Sequence, residues 1–70
     1  MDWPSTKAPR VLAALLRIGW RVRREGKGSL KVLERVGFPD YIWHFHDGVT
    51  IGPVMLKEIA KRTGLEPGDL

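Results

Sequence analysis

The sequence predicts an α+β fold in the order α-β-β-β-α, with a three-stranded antiparallel sheet and both helices on one of its faces. Apolar residues recur at helical spacing over residues 7–18 and 54–63, and three short strand-like runs lie between them. The 70 residues suffice for one domain. We expect a flexible lead-in over residues 1–6 and a single domain over 7–70. Two helices on one face leave the other face of the sheet open.

The first predicted helix runs from Lys7 to Ile18. Ser5 or Thr6 can cap it, and Pro9 is tolerated because it falls in the first turn. Gly19 ends the helix by permitting a left-handed backbone. The apolar stripe consists of Val11, Leu12, Leu15 and Leu16, with Ala8 and Gly19 in register.

Three strands are predicted next, at Trp20–Glu25, Ser29–Val36 and Tyr41–His46. The first alternates apolar and basic side chains, as a half-buried strand does. A glycine-rich turn at 26–28 joins it to the second strand, and a turn over 37–40 leads to the third. The connections are short, so neighbouring strands are expected to pair antiparallel.

The second predicted helix runs from Val54 to Thr63, after Pro53 at its first position. Gly64 stops it, and Leu65 is expected to fold back against it. The predicted apolar face consists of Met55, Leu56, Ile59 and Ala60.

Positive charge is concentrated in the first half of the chain. Residues 7–35 hold nine Lys and Arg against two Glu, a balance of +7, whereas residues 36–70 have a balance of −2. A cluster of cations around a glycine turn attracts a polyanion such as a phosphodiester backbone. The alternative is a solvated basic surface without a ligand. The candidate contacts to such a backbone are Arg21, Arg23, Arg24, Lys27, Ser29 and Lys31, where Ser29 is interpreted as a turn residue with no base near it in sequence.

Several protein classes are excluded by what the sequence lacks. There is no cysteine, so neither a disulfide framework nor a thiolate metal site is possible. No apolar run approaches the length of a membrane span, and the first residues do not resemble a signal peptide. We expect a soluble cytoplasmic protein without a membrane partner or a small-molecule cofactor.

The two histidines, His44 and His46, are the candidates for catalysis. Two residues apart on a strand, they would point to the same face. Imidazole can take a proton from an RNA 2′-hydroxyl or give one to a leaving oxygen. The alternatives are surface histidines or metal ligands, and beyond Asp47 no third ligand is evident, so no metal site is predicted. Asp47 either orients His46 or forms a turn with Gly48.

The aromatic side chains are interpreted mainly as core residues, because a small domain needs large apolar groups. Trp43 or Tyr41 could instead stack on an unpaired base. The aromatic residues are Trp3, Trp20, Phe38, Tyr41, Trp43 and Phe45.

Three segments, in this order, resemble the HicA family of bacterial toxin–antitoxin systems. They are residues 16–20, Leu-Arg-Ile-Gly-Trp; residues 26–29, Gly-Lys-Gly-Ser; and the closing segment with Pro53, Leu56, Ile59 and Gly64-Leu65. The resemblance covers residues 7–70. It implies a fold similar to double-stranded RNA-binding domains, cleavage of messenger RNA, and inhibition by a HicB-like antitoxin.

The resemblance also raises a question about catalysis. In the family, the residue after Gly-Ser is typically a histidine that is taken to be catalytic, and here it is Leu30. Leucine can neither give nor accept a proton. The chain is therefore either an endoribonuclease with relocated chemistry or a catalytically inactive RNA-binding or antitoxin-binding domain. A third alternative, a structural protein–protein adaptor, predicts no RNA binding.

Overall fold

The computed structural model describes residues 3–70, and Met1 and Asp2 of the predicted lead-in lie outside them. Two helices, five strands and a final 3₁₀ turn make up this part of the chain. In order, they are β1 (Thr6–Lys7), α1 (Ala8–Arg17), β2 (Arg21–Glu25), β3 (Lys31–Arg35), β4 (Phe38–Trp43), β5 (Thr50–Ile51), α2 (Pro53–Thr63) and the 3₁₀ turn Pro67–Asp69.

The main sheet has the strand order β2-β3-β4, with both pairs antiparallel. The register is interrupted in β2 between Val22 and Arg24, and in β3 between Leu33 and Arg35. The short strands β1 and β5 pair separately, with Thr6 opposite Ile51. This second pairing was not predicted, and it joins the chain just before α1 to the chain just before α2.

The core lies between the sheet and both helices, which confirms the predicted placement of the helices on one face. Leu33 of β3 and Trp43 of β4 are buried against residues of α1 and α2. The indole Nε1 of Trp20 donates a buried hydrogen bond of 3.0 Å to the carbonyl of Thr63, which ties the start of the sheet to the end of α2. The buried core cluster is Ala8, Val11, Ala14, Leu15, Trp20, Leu33, Trp43, Ile51, Leu56, Ile59 and Leu65.

Helix α1 follows its predicted stripe with two differences. Leu16 is 43% exposed, and Ala14 is buried in its place. Lys7 occupies the N-cap without a side-chain hydrogen bond, because Thr6 lies in β1 and its hydroxyl donates to the carbonyl of Pro4. Proline at the start of α1 removes one N–H that would otherwise need a cap.

Helix α2 ends as the sequence predicts. Gly64 has φ +77, in the left-handed region, and its N–H donates to the carbonyl of Ala60. Leu65 is buried after it. The buried positions are Leu56, Ile59 and Thr63. Met55, predicted to be in the apolar face, is 42% exposed.

The predicted bounds of the third strand are wrong. Strand β4 starts at Phe38 and ends at Trp43, so the predicted 37–40 turn is mostly strand and His44 to His46 follow the strand. The connection is shorter than predicted, because Gly37 at φ +88 allows the chain to reverse within about two residues. Phe38 then pairs with Arg35.

None of the helices in residues 3–70 has the length and apolar character that crossing a membrane requires.

Candidate functional site

The turn between β2 and β3 is held by its own backbone. The N–H of Gly26 donates to the carbonyl of Leu30 at 2.9 Å, and the N–H of Leu30 donates to the carbonyl of Lys27 at 3.3 Å. Gly28 has φ +64, which favours glycine. A Cβ at Gly26 would lie 2.6 Å from the side chain of Leu30. The turn therefore favours glycine at both positions, and Leu30 packs across it.

Ser29, at the end of this turn, contacts His46 from a distant part of the sequence. Its Oγ lies 2.5 Å from Nδ1 of His46, a hydrogen bond between groups 17 residues apart. His46 belongs to the loop between β4 and β5. That loop is anchored by the N–H of Val49, which donates to the carbonyl of His46 at 3.0 Å, and by the N–H of Ala8, which donates to the carbonyl of Val49 at 2.9 Å.

No base for Ser29 was evident from the sequence. The register between β3 and β4 indicates which residue lies near it. Lys31 pairs with Trp43 at the end of the ladder. Continuing that register by two residues in each direction would place Ser29 opposite Phe45. His46 is the next residue. An accurate prediction of this pairing would have placed the serine and the histidine together.

The Ser29–His46 pair borders a cavity of about 270 Å³. Lys31 lines it and is also 3.2 Å from a carboxylate oxygen of Glu25. Asp47 lines it too, but within residues 3–70 it makes no hydrogen bond to His46. The full lining is Leu12, Gly28, Ser29, Lys31, Trp43, Phe45, His46 and Asp47.

Acidic side chains partly neutralise the basic cluster. Arg21 Nε lies 3.2 Å from Glu34, and Arg23 lies 3.9 Å from Glu34 and 3.1 Å from Asp40. Among residues 3–70, Arg24 and Lys27 make no ion pair. The count of charges along the sequence did not reveal this neutralisation, because the carboxylates of β3 and β4 come beside β2 only when the strands pair.

The five predicted cations and their three acidic partners together leave a net charge of about +2. At least one side chain of each pair is well exposed to solvent, and 80% of the Arg21 side chain is accessible, whereas Lys31 is 26% accessible. Exposed pairs contribute only about 0–1 kcal/mol each, so a strong polyanion could displace the carboxylates.

The cations occupy two regions of the surface. Glu34 and Asp40 neighbour the core-facing Leu33 and Tyr41, so they point to the open face of the sheet, and the arginines paired with them lie there. Lys31 lies instead beside the Ser29–His46 pair.

His44 and His46 do not lie on one face of a strand, contrary to the prediction from their spacing. The strand ends before them, and they line different cavities. His44 stacks on Phe45, with ring centroids 4.5 Å apart, and borders a groove of about 730 Å³ between β4 and α2. In that groove, burial raises the pKa of Tyr41 above its usual 10.0, although nearby Arg62 lowers it.

The aromatic residues are mainly core residues, as predicted. Trp43 is only 2% exposed, so it is not available to stack on a base. Tyr41 and Phe45 are partly buried and pack against the core. Tyr41 keeps an accessible edge in the groove beside α2.

Within residues 3–70, no three His, Cys, Asp or Glu side chains are arranged to hold a metal ion.

One of the comparisons with known proteins gives a match. The family model described as the HicA toxin of bacterial toxin–antitoxin matches residues 8–65, which is more than half of the chain. No curated protein and no solved structure gives a significant match. The matched range includes the glycine turn, the Ser29–His46 pair and both helices, and membership implies an antitoxin partner in general. The chain belongs to the HicA toxin family of bacterial toxin–antitoxin systems.

Proposed function

We propose that this protein is a toxin that binds and cleaves messenger RNA in the cytoplasm, and that a HicB-like antitoxin inhibits it. The observation that carries the proposal is the hydrogen-bonded pair of Ser29 and His46 at the end of the β2–β3 turn, with Lys31 beside it. Arg24 in β2 and Lys27 in the turn make no ion pair within residues 3–70. Cations bind phosphates, and imidazole can transfer the proton that RNA cleavage requires. Family membership supports the toxin assignment.

RNA contact is proposed for the six residues of the predicted interface. Arg24 and Lys27 contribute most, since Arg21, Arg23 and Lys31 must first exchange a carboxylate for a phosphate. The six are Arg21, Arg23, Arg24, Lys27, Ser29 and Lys31.

The antitoxin is proposed to be acidic over its contact surface and to cover the basic turn. Opposite potentials across an interface favour such docking and would block RNA from the same cations. The candidate to test is the product of a small reading frame adjacent to the toxin gene. Adding it in equimolar amount should abolish both RNA binding and cleavage.

A second candidate function is a catalytically inactive RNA-binding or antitoxin-binding domain of the same fold. The observation that favours it is Leu30, which follows Gly28-Ser29 where the family typically has a histidine. The structure gives Leu30 a packing role across the turn instead.

One experiment separates these functions. The full chain and Leu30→His are incubated with a defined messenger RNA, and both binding and cleavage are measured. Cleavage by the unmodified chain supports the toxin endoribonuclease. RNA binding without cleavage until histidine is introduced supports the inactive RNA-binding domain. No RNA binding even at low salt refutes both the endoribonuclease and the RNA-binding domain, and leaves an antitoxin-binding domain or a protein–protein adaptor.

A further inference from the structure

We propose that His46 is the general base for RNA cleavage and that Ser29 is the residue that positions its ring. This inference rests on the proposed function, and it names the group that moves the proton. Sequence spacing offered His44 and His46 equally, whereas the structure distinguishes them. Only His46 lies beside the glycine turn and its cations.

The hydrogen bond between Ser29 Oγ and Nδ1 of His46 leaves Nε2 as the ring nitrogen that can act on a substrate. Nδ1 of the imidazole faces the serine hydroxyl at 2.5 Å, so a ring that donates Nδ1–H to Ser29 Oγ presents the lone pair of Nε2 outward. No group within residues 3–70 hydrogen-bonds Nε2. A fixed ring with a free nitrogen at an exposed position is the arrangement that a general base requires.

The surroundings of His46 suit a phosphodiester. The 270 Å³ cavity brings Lys31 and the backbone of Gly28 to the same place, and a Cβ built on Gly28 would meet no atom within 4 Å. A phosphate can therefore approach the turn closely. Lys31 lines the same cavity, and its ammonium can stabilise the negative charge that develops on the phosphoryl oxygens.

The reaction uses the 2′-hydroxyl of the RNA as its nucleophile. Nε2 of His46 takes the 2′-hydroxyl proton as the O2′–P bond forms and the P–O5′ bond breaks. The 5′ oxygen takes a proton from water, and the imidazolium returns its proton to the hydroxide that remains. The products are a 2′,3′-cyclic phosphate and a 5′-hydroxyl.

The Ser29–His46 contact has a second chemical interpretation, in which Ser29 is the nucleophile. A DNA substrate and the Ser29→Ala variant distinguish the two. If Ser29 attacked phosphorus itself, the 2′-hydroxyl would not be needed, DNA of the same sequence would be cut, and Ser29→Ala would be inactive. With Ser29 as a positioning residue, Ser29→Ala retains activity at a rate reduced about 10- to 100-fold, because ring orientation is lost.

The principal experiment measures single-turnover cleavage of a defined single-stranded RNA by the unmodified chain, His46→Ala and His46→Asn. Asparagine places an amide near the Nδ1 position, so it can keep the contact with Ser29, but it cannot transfer a proton. Both variants should lose about 100-fold or more in cleavage rate while RNA affinity stays within twofold. Added imidazole should partly restore His46→Ala.

The controls are Lys57→Ala, on the exposed surface of α2, and a substrate with a 2′-deoxy nucleotide at the cleavage site. Lys57→Ala should cleave RNA at the normal rate, and the 2′-deoxy substrate should resist cleavage by the unmodified chain. His44→Ala is compared directly with His46→Ala, and the larger loss is expected at His46.

Three results would overturn the assignment. Normal cleavage by His46→Asn would show that the histidine only anchors the loop. Loss of RNA affinity together with cleavage would show a structural role. Cleavage of the 2′-deoxy substrate would refute the 2′-hydroxyl mechanism. In all three cases the proposed function still holds as long as the unmodified chain cleaves RNA. If the unmodified chain binds RNA without cutting it, both the endoribonuclease and this inference are refuted.

Discussion

Replacing Glu34 with glutamine should strengthen RNA binding. Glu34 is the acidic partner of Arg21 at 3.2 Å and a second, more distant partner of Arg23 at 3.9 Å. The substitution removes the carboxylate but keeps the size of the side chain. It therefore releases Arg21 for a phosphate, while Arg23 keeps its pair with Asp40 at 3.1 Å.

The expected magnitude follows from the number of cations released. One further phosphate contact steepens the dependence of log K on log salt by about 0.7 for single-stranded RNA, or about fivefold in affinity for each tenfold reduction in salt. The double variant Glu34→Gln/Asp40→Asn releases Arg23 as well and should roughly double the change in slope. Stability should fall by no more than about 1 kcal/mol, because these pairs are exposed.

The assay is RNA binding by fluorescence anisotropy across a salt series, with Glu58→Gln as the matched control. Glu58 pairs with Lys61 at 3.6 Å on α2, so its replacement adds the same unit of charge away from the glycine turn. Equal gains from Glu34→Gln and Glu58→Gln would indicate a general charge effect. An unchanged salt slope in Glu34→Gln would show that RNA does not contact the open face of the sheet.

Three further predictions concern stability. Thr63→Val should cost about 1–3 kcal/mol in urea unfolding with an unchanged m-value, because the buried N–H of Leu65 loses its acceptor, the hydroxyl of Thr63 at 3.3 Å; wild-type stability would contradict this. Leu56→Ala, at a fully buried position, should cost about 2–5 kcal/mol in the same assay. A loss below about 1 kcal/mol would show that neighbouring side chains fill the cavity left at position 56. Burial raises the pKa of Tyr41, so the folded protein holds the phenol proton more tightly than the unfolded chain does. The free energy of unfolding should therefore fall as pH rises above about 10. The fall should be less steep in Tyr41→Phe. Identical pH dependence of the two proteins would refute that contribution.

Local patterns were sufficient to predict the order of the main elements. Pro53 and Gly64 bound α2 as expected, since proline fits the first helical position and glycine fits the left-handed residue that follows the helix. The 3.6-residue repeat identified most of the buried positions of both helices. It misplaced Leu16, because the width of a buried stripe depends on what packs against it.

The third strand shows where alternation fails. Aromatic and apolar residues continue through Phe45, so the pattern extended the strand to His46. The ladder ends at Trp43, because the partner strand begins at Lys31 and the glycine turn precedes it. A strand boundary is set by the length of its partner, and one segment of sequence does not contain that information.

The candidate site likewise has features that the sequence predicted and features that it did not. The glycine turn, its cations and the histidines were visible in the sequence, but their relations were not. Spacing grouped His44 with His46, and the structure instead joins His46 to Ser29.

By itself, the sequence determined the order of helices and strands, the positions of the turns and the excess of positive charge, because each depends on residues close together in the chain. Tertiary structure alone decided that Ser29 meets His46 and that Glu34 and Asp40 neutralise two of the arginines. Those contacts depend on the register between strands, which is fixed by the packing of the whole sheet against both helices.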